Sequence, residues 1–297
     1  MRDFEYEAPT SLSEAIGLIL KHTGSACALA GGTDLIDHIR MGRLVPDVIV
    51  DIKKIPDLNV LEYTADGLRL GAAVPCYRIY ENDEIKSAYS ALSDSCRIIG
   101  SIQIQNRASV GGNLCNAGPA ADSTPSLIVL EAKCVITGPK GTRDILVEDF
   151  CTGPGHNVLE SGELLVELIF PPRLPYSGSH YRRFIPRKEM DIAAVGVGAS
   201  VTLDESGQNF VSARIALGAV APIPLYAKQA GDSLIGQPVN DQTITQAAKA
   251  ARTIAHPIND MRGTKEFRLH LTSVLTERVL KAAVARARGE NIEHYEL

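Results

Sequence analysis

Two glycine pairs place the strongest constraint on what this chain can fold into. The first lies in residues 30–35 (AGGTDL), after an apolar run, and the second lies in residues 108–113 (ASVGGN). Because glycine has no Cβ, two consecutive glycines let backbone N–H groups approach and surround an anion such as a phosphate. Two such loops can hold a pyrophosphate from both sides. The pattern therefore indicates a dinucleotide site.

The residues after the first pair support this interpretation over an ordinary tight turn, which a Gly-Gly pair also fits. Thr33 and Asp34 are typical of a helix start, and apolar residues follow at helical spacing as far as Gly42. A helix N-terminus that faces a glycine-rich turn is a common anion site. The nearest match to a Rossmann fingerprint, residues 196–201 (GVGASV), lacks the third glycine.

Composition excludes several classes of protein. The chain has 297 residues, of which 45% are hydrophobic and 22% charged, as in soluble globular proteins, and its length suggests two domains. A net charge of −5 without a run of Lys or Arg argues against binding to nucleic acid or to an acidic membrane. No apolar run reaches membrane-spanning length and no signal peptide is visible, so we expect a cytoplasmic protein. The six cysteines are dispersed, which indicates neither an iron–sulfur nor a zinc site on this chain.

Hydrophobic periodicity and turn signals predict an α+β order of elements. The predicted helices are 12–20, behind a capping box at 11–14, then 33–40, 77–99, 243–255 and 264–288. The predicted strands are 26–30, 48–52, 58–63, 68–74, 133–137, 144–147, 164–170, 193–203 and 210–220. Prolines and small residues at 171–179 predict a linker.

With these motifs the chain resembles the FAD-binding subunit of the molybdenum hydroxylase family, which includes xanthine, aerobic carbon-monoxide and nicotinate dehydrogenases. The resemblance covers nearly the whole chain and is most specific in residues 100–114 (GSIQIQNRASVGGNL). Residues 30–35, 162–165 (GELL) and 191–193 (DIA) carry further matches. It implies an α+β fold with a two-subdomain FAD-binding domain of the vanillyl-alcohol-oxidase (PCMH) type, followed by a small α+β C-terminal domain. The implied domains are 1–175, with subdomains of about 1–55 and 56–175, and 176–297.

The resemblance also implies a set of cofactor-binding residues, with no catalytic residue and no metal ligand on this chain. The two loops would wrap the FAD pyrophosphate, Asp122 would bond the polar spine of the cofactor, and Leu165 would contact the adenine. The implied set is Leu29, Ala30, Gly31, Gly32, Thr33, Asp34, Leu35, Ile36, Ser109, Val110, Gly111, Gly112, Asn113, Asp122, Leu165, Arg182 and Lys188. The residues alone leave alternatives open: Asp34 as an acid in a first helical turn, Asp122 as an N-cap, and Arg182 and Lys188 as surface cations.

As a function, the resemblance implies electron transfer. FAD, bound noncovalently, would receive electrons from a small 2Fe–2S subunit and pass them to an external acceptor. The molybdenum cofactor would lie on a large subunit, and the complex would be a dimer of heterotrimers. Two alternatives remain: an independent FAD-linked oxidase or reductase of the vanillyl-alcohol-oxidase type, and a nucleotide-binding assembly module without redox activity.

Overall fold

The fold of residues 2–187 and 189–292, which the computed structural model describes, is α+β, as predicted. Its strands are β1 Glu5–Glu7, β2 Ala26–Leu29, β3 Val48–Asp51, β4 Leu61–Thr64, β5 Gly67–Gly71, β6 Lys133–Gly138, β7 Gly141–Leu146, β8 Cys151–Gly153, β9 His156–Asn157, β10 Leu164–Phe170, β11 Ser177–Phe184, β12 Val195–Leu203, β13 Phe210–Gly218 and β14 Leu225–Tyr226. Its helices are α1 Leu12–Lys21, α2 Leu35–Arg40, α3 Cys76–Tyr80, α4 Asp83–Ala88, α5 Ser90–Ile98, α6 Ile102–Gln105, α7 Val110–Cys115, α8 Ser123–Val129, α9 Lys228–Asp232, α10 Asp241–Thr253 and α11 Lys265–Ala287. Within the described ranges, no helix combines the length and hydropathy that a membrane crossing requires.

The first sheet is parallel, with strand order β1-β3-β2, and α2 connects β2 to β3. This confirms the predicted strand–helix–strand unit. The Ser11 hydroxyl caps α1 by accepting from the Glu14 N–H at 3.3 Å. Because the carboxyl ends of parallel strands meet at one edge, the first glycine loop, which follows β2, lies at that edge of the sheet.

The second sheet is antiparallel, with order β4-β5-β10-β6-β7, and its central strand β10 is buried along almost all of its length. Strand 164–170 was predicted with these bounds. The predicted hairpin of strands 58–63 and 68–74 begins later than expected. A 3₁₀ turn over Pro56–Asn59, which begins with proline, takes its first residues, so β4 begins at Leu61. The predicted helix 77–99 is three helices, because the Asn82 side chain caps a new one by accepting from the Ile85 N–H at 3.0 Å.

The third sheet, order β11-β12-β13-β14, packs against α11 and α8. Its first strand begins at Ser177, so the predicted linker at 171–179 is wrong in its last three residues. Gly178 has a packing role, because a Cβ there would lie 2.3 Å from the carbonyl oxygen of Ala283 in α11. Small residues thus allow a close strand–helix contact at this point rather than a flexible connection.

Two hydrophobic clusters form the core. One draws its buried side chains almost entirely from residues 15–170, and the other from residues 195–287. Polar contacts join them: the Ala91 N–H in α5 donates to the Ser179 hydroxyl in β11 at 3.1 Å, and both residues are buried. The domain boundary at 175/176 falls between β10 and β11 and stays a prediction.

Candidate functional site: a cleft between the glycine loops

The two glycine loops meet at one cleft of about 640 Å³, which we call the glycine-loop cleft. Eleven of the residues predicted from the sequence line it: Ala30, Gly31, Gly32, Thr33, Asp34, Leu35, Ser109, Gly111, Gly112, Asn113 and Leu165. A cleft of this size is in the range of small-molecule and cofactor sites. The structure therefore brings together two segments that lie about eighty residues apart in the chain.

The first loop presents a run of free backbone donors. Gly32 has a φ of +79°, a left-handed conformation that favours glycine and turns the chain from β2 into α2. Within the described residues, the N–H groups of residues 31–35 have no hydrogen-bond acceptor. Five consecutive unpaired N–H groups beside a cleft form a concavity suited to an anion.

The second loop is fixed by its own side chains. The Ser109 hydroxyl caps α7 by accepting from the Gly112 N–H at 3.1 Å. The Asn113 side-chain oxygen accepts from the Ser123 hydroxyl at 2.6 Å, which ties α7 to the start of α8. These bonds hold the loop in place without any ligand.

Each glycine has a different local reason. A Cβ on Gly31 would lie 2.3 Å from the Arg107 carbonyl oxygen, so the two loops touch backbone to backbone. A Cβ on Gly111 would lie 2.5 Å from both the Cβ and the carbonyl oxygen of Ala72. A Cβ on Gly112 would meet only the Ser109 hydroxyl at 3.0 Å and a more distant Ala30 Cβ at 3.8 Å. Gly31 and Gly111 therefore permit packing, whereas Gly112 leaves room on the side of the cleft.

Residues 159–165 form a third wall of the cleft, and the sequence predicts only part of it. Leu165 is one of the predicted site residues, and the family match at 162–165 indicates that its neighbours also matter. Glu163 in this wall accepts from Arg143 at 2.7 and 2.9 Å and from the Glu160 N–H at 2.8 Å. These bonds lower the pKa of Glu163 to about 2, and the bonds from the Arg143 side chain have the largest effect. The lining residues that the sequence did not predict are Ile19, Thr23, Gly24, Ala26, Ala28, His38, Leu44, Ile52, Ala72, Ile99, Ala108, Cys115, Asn116, Leu159, Glu160, Ser161, Gly162, Glu163 and Leu164.

Other predicted residues do not line the cleft. Leu29 and Ile36 pack against the first loop, with side-chain atoms 2.7 and 3.3 Å from the Cβ position of Gly32. Val110 is buried in the first turn of α7. Lys188 lies outside the described residues.

Asp122 is buried next to the cleft in an ionic cluster of its own. One carboxylate oxygen accepts from the Tyr181 hydroxyl at 2.9 Å and the other from Arg183 at 2.5 Å. Asp122 stands at the N-cap position of α8, but its side chain makes no capping bond to that helix. Burial raises its pKa to about 6, although Arg183 and Tyr181 act in the opposite direction. Arg183 also donates to the Ile98 carbonyl at 2.7 Å, one residue before Ile99 of the cleft wall.

Arg182 and Arg183 occupy opposite faces of β11, because side chains alternate along a strand. Arg183 points to Asp122. Arg182 points away from it, and its pKa is lowered first by burial and then by the charge of Arg278 in α11. The neighbour of the predicted residue is thus the cation that contacts Asp122.

The described residues contain no group of three or more His, Cys, Asp or Glu side chains placed to hold a metal ion. All six cysteines are free. Cys115 lines the cleft, and burial raises the pKa of its thiol to about 12, so it stays protonated near neutral pH.

Comparison with known proteins identifies the family of the chain. Residues 2–173 match the family model described as the FAD binding domain in molybdopterin dehydrogenase. The chain belongs to this family. Residues 180–283 match the CO dehydrogenase flavoprotein C-terminal domain. The resemblance expected from the sequence is confirmed, and the chain is an FAD-binding flavoprotein of the molybdenum hydroxylase type.

Individual relatives agree along the full length of the chain. A xanthine dehydrogenase FAD-binding subunit of Escherichia coli O157:H7 is 34% identical over 98% of this chain and 99% of its own. Carbon monoxide dehydrogenase of Hydrogenophaga pseudoflava superposes with a TM-score of 0.91 at 29% identity, covering 96% of this chain and 98% of that chain. Quinoline 2-oxidoreductase of Pseudomonas putida 86 superposes with a TM-score of 0.89 at 29% identity, with coverages of 96% and 98%.

The residues of the cleft fit FAD. Five unpaired N–H groups can donate to the two phosphates of the cofactor, and the absence of a side chain on Gly112 leaves room for close backbone approach. The apolar residues of the lining, such as Leu165, suit the flat aromatic parts of the cofactor.

Proposed function

We propose that the glycine-loop cleft binds FAD noncovalently and that the chain relays electrons from a 2Fe–2S subunit to an external acceptor. One observation carries the placement of the cofactor. Two separate glycine loops converge on one cleft, and one of them offers five free backbone donors in a row. N–H groups at the start of a helix have no partner within it, so these donors are available to an anion in the cleft.

In this proposal the residues of the loops bind and orient the cofactor. The N–H groups of residues 31–35 hold the diphosphate, and the capped second loop closes on its other side. Leu165 supplies an apolar contact to the adenine. Asp122 supports the cleft without lining it. Its bonds to Tyr181 and Arg183 fix the segment that ends in Ile99, which does line the cleft.

Bound FAD supplies the redox chemistry of the relay, and the protein supplies position and electrostatics. The names of the relatives support a role as one subunit among several, since they are FAD-binding subunits and medium chains of dehydrogenases. We infer a complex with a small 2Fe–2S subunit and a large subunit that carries the molybdenum cofactor, as a cytoplasmic dimer of heterotrimers. The C-terminal match to a CO dehydrogenase flavoprotein domain favours this role over an independent oxidase or an assembly module.

The test compares the chain purified alone with the complex obtained by co-expression with its partner subunits. The isolated chain should carry a flavin spectrum and be inactive toward the substrate that the complex hydroxylates. Full turnover by the isolated chain would exclude the relay role. A wild-type chain that stays colourless after incubation with FAD would exclude the cofactor site instead. The Gly111→Val variant serves as the FAD-deficient control within the complex.

A further inference from the structure

A second cavity, of about 520 Å³, lies where the two hydrophobic clusters of the chain adjoin. Helices α4 and α5 form one side of it, and the beginning of β11 and the end of α11 form the other. We call it the junction cavity. It shares no lining residue with the glycine-loop cleft, so the binding of FAD does not account for it.

Three cations line the junction cavity without a carboxylate partner among the described residues: Lys86, Arg97 and Arg173. Neutral contacts hold the two arginines in place. Arg173 donates to the carbonyl oxygen of Ser87 at 3.2 Å, and the Arg97 guanidinium lies 5.2 Å from the centre of the Tyr80 ring. All three cations are exposed, and these contacts orient the guanidinium groups without pairing their charges with a carboxylate.

Two charged side chains on the floor of the junction cavity, Asp94 and Arg286, compensate each other. The buried carboxylate of Asp94 accepts from Arg286 at 2.6 and 3.1 Å, and Arg286 also donates to the Ser179 carbonyl at 2.9 Å. The other two carboxylates of the lining, Asp83 and Glu290, are exposed and form no ion pair with the three cations in the described ranges. The three cations exceed the carboxylates of Asp83 and Glu290 by one, so the lining carries a net charge of +1 (3 − 2).

Ser93 gives an independent sign of a ligand. Its side chain belongs to the lining although the residue is only 4% exposed, and its hydroxyl forms no hydrogen bond within the described residues. The Ser93 hydroxyl is not one of the sealed polar atoms that lack a partner, so it opens onto the cavity. An acceptor in the cavity would bond it.

We propose that the junction cavity binds a small molecule through a phosphate group. A tetrahedral phosphate offers three or more acceptor oxygens and up to two negative charges, which matches several separate cations and one hydroxyl better than a planar carboxylate does. The cavity volume leaves room for an organic portion beyond the phosphate. The site is thus a second ligand site, separate from the cofactor, at the contact between the two clusters.

The experiment titrates the purified full-length chain with inorganic phosphate, by calorimetry at low ionic strength, with acetate in parallel. Arg97→Gln/Arg173→Gln should weaken phosphate binding by at least about tenfold, the size of one lost charge-assisted contact. Arg252→Gln is the matched control, because Arg252 is exposed, outside the cavity and without an ion pair in the described residues. It should bind phosphate like the wild type. Ser93→Ala should weaken binding several-fold with the fold unchanged, which covers the case in which the double variant is poorly folded.

Three results would overturn the proposal: the absence of phosphate binding to the wild type, equal binding by the double variant, and acetate binding as tight as that of phosphate. If the wild type ignores phosphate and the double variant, co-expressed with the partner subunits, no longer binds them, the proposal is overturned in favour of an acidic polypeptide. The absorbance of bound FAD, recorded in each titration, should stay constant throughout.

Discussion

Replacing Gly31 with alanine tests whether direct backbone contact holds the two glycine loops together. A Cβ at this position would lie 2.3 Å from the Arg107 carbonyl oxygen and 2.9 Å from the Cα of Ala108. Real Cβ atoms essentially never approach within 3.0 Å, so the loops must separate by about 0.7 Å (3.0 − 2.3). The obstacle is backbone and cannot rotate aside as a side chain would.

The size of the effect follows from the cost of overpacking. An extra methyl group in a closely packed site costs about 1–3 kcal/mol. We expect the free energy of unfolding of the apoprotein to fall by that amount. If the loops must come together again to bind FAD, the affinity for FAD falls about 5- to 150-fold for the same free energy.

The assay combines urea unfolding of the apoprotein with titration of FAD by its fluorescence quenching. Gly17→Ala is the matched control, because nothing lies within 4 Å of a Cβ on Gly17, in the middle of α1. It should stabilise the chain by about 0.5–1 kcal/mol and leave FAD binding unchanged. Gly112→Ala should keep the stability but weaken FAD binding, since its Cβ occupies space beside the cleft. Wild-type stability and wild-type FAD affinity in Gly31→Ala would refute the argument.

Three further outcomes are expected. Gly111→Val should abolish FAD binding and destabilise the chain, because its Cβ would meet Ala72 at 2.5 Å; normal FAD occupancy on purification would contradict this. Glu163→Gln should lower the free energy of unfolding by about 1–2 kcal/mol at neutral pH, allowing for solvent screening at the half-exposed Arg143. Since the pKa of Glu163 in the fold is about 2 against an ordinary 4.5, the wild-type advantage should disappear as pH falls through that window, as unfolding curves at several pH values would show. Acid denaturation should release the flavin into the supernatant; flavin that precipitates with the chain would indicate a covalent link.

The parts of the fold that were predictable are those in which one physical signal dominates. Strand β10 is an apolar run with two prolines directly behind it. Helix α11, Lys265–Ala287, lies between Thr264, which caps it, and Gly289, which has a left-handed φ of +85°. The errors occur where tertiary contact overrides local preference. Gly178 looks like part of a linker until α11 lies against it, and nothing local reveals that contact.

The same distinction between local and tertiary signals applies to the functional site. The glycine loops were predictable because their chemistry is local, and the cleft confirms that they meet. The choice between Arg182 and Arg183 was not, because it depends on the register of β11 against β12, which sets the face that each side chain occupies. The ionic cluster around Asp122 joins residues 59 and 61 positions apart, so no sequence window contains it.

The central position of β10 determines when the site can be completed during synthesis. This strand pairs with β5, as in Glu167 with Gly71, across 96 positions (167 − 71), and its first residues form the third wall of the cleft. Both glycine loops leave the ribosome well before it does. Until β10 emerges, β5 and β6 each present an unpaired edge, and the nascent chain is exposed to mispairing. Closing so long a loop is slow, so the third wall completes the glycine-loop cleft only at a late step of folding.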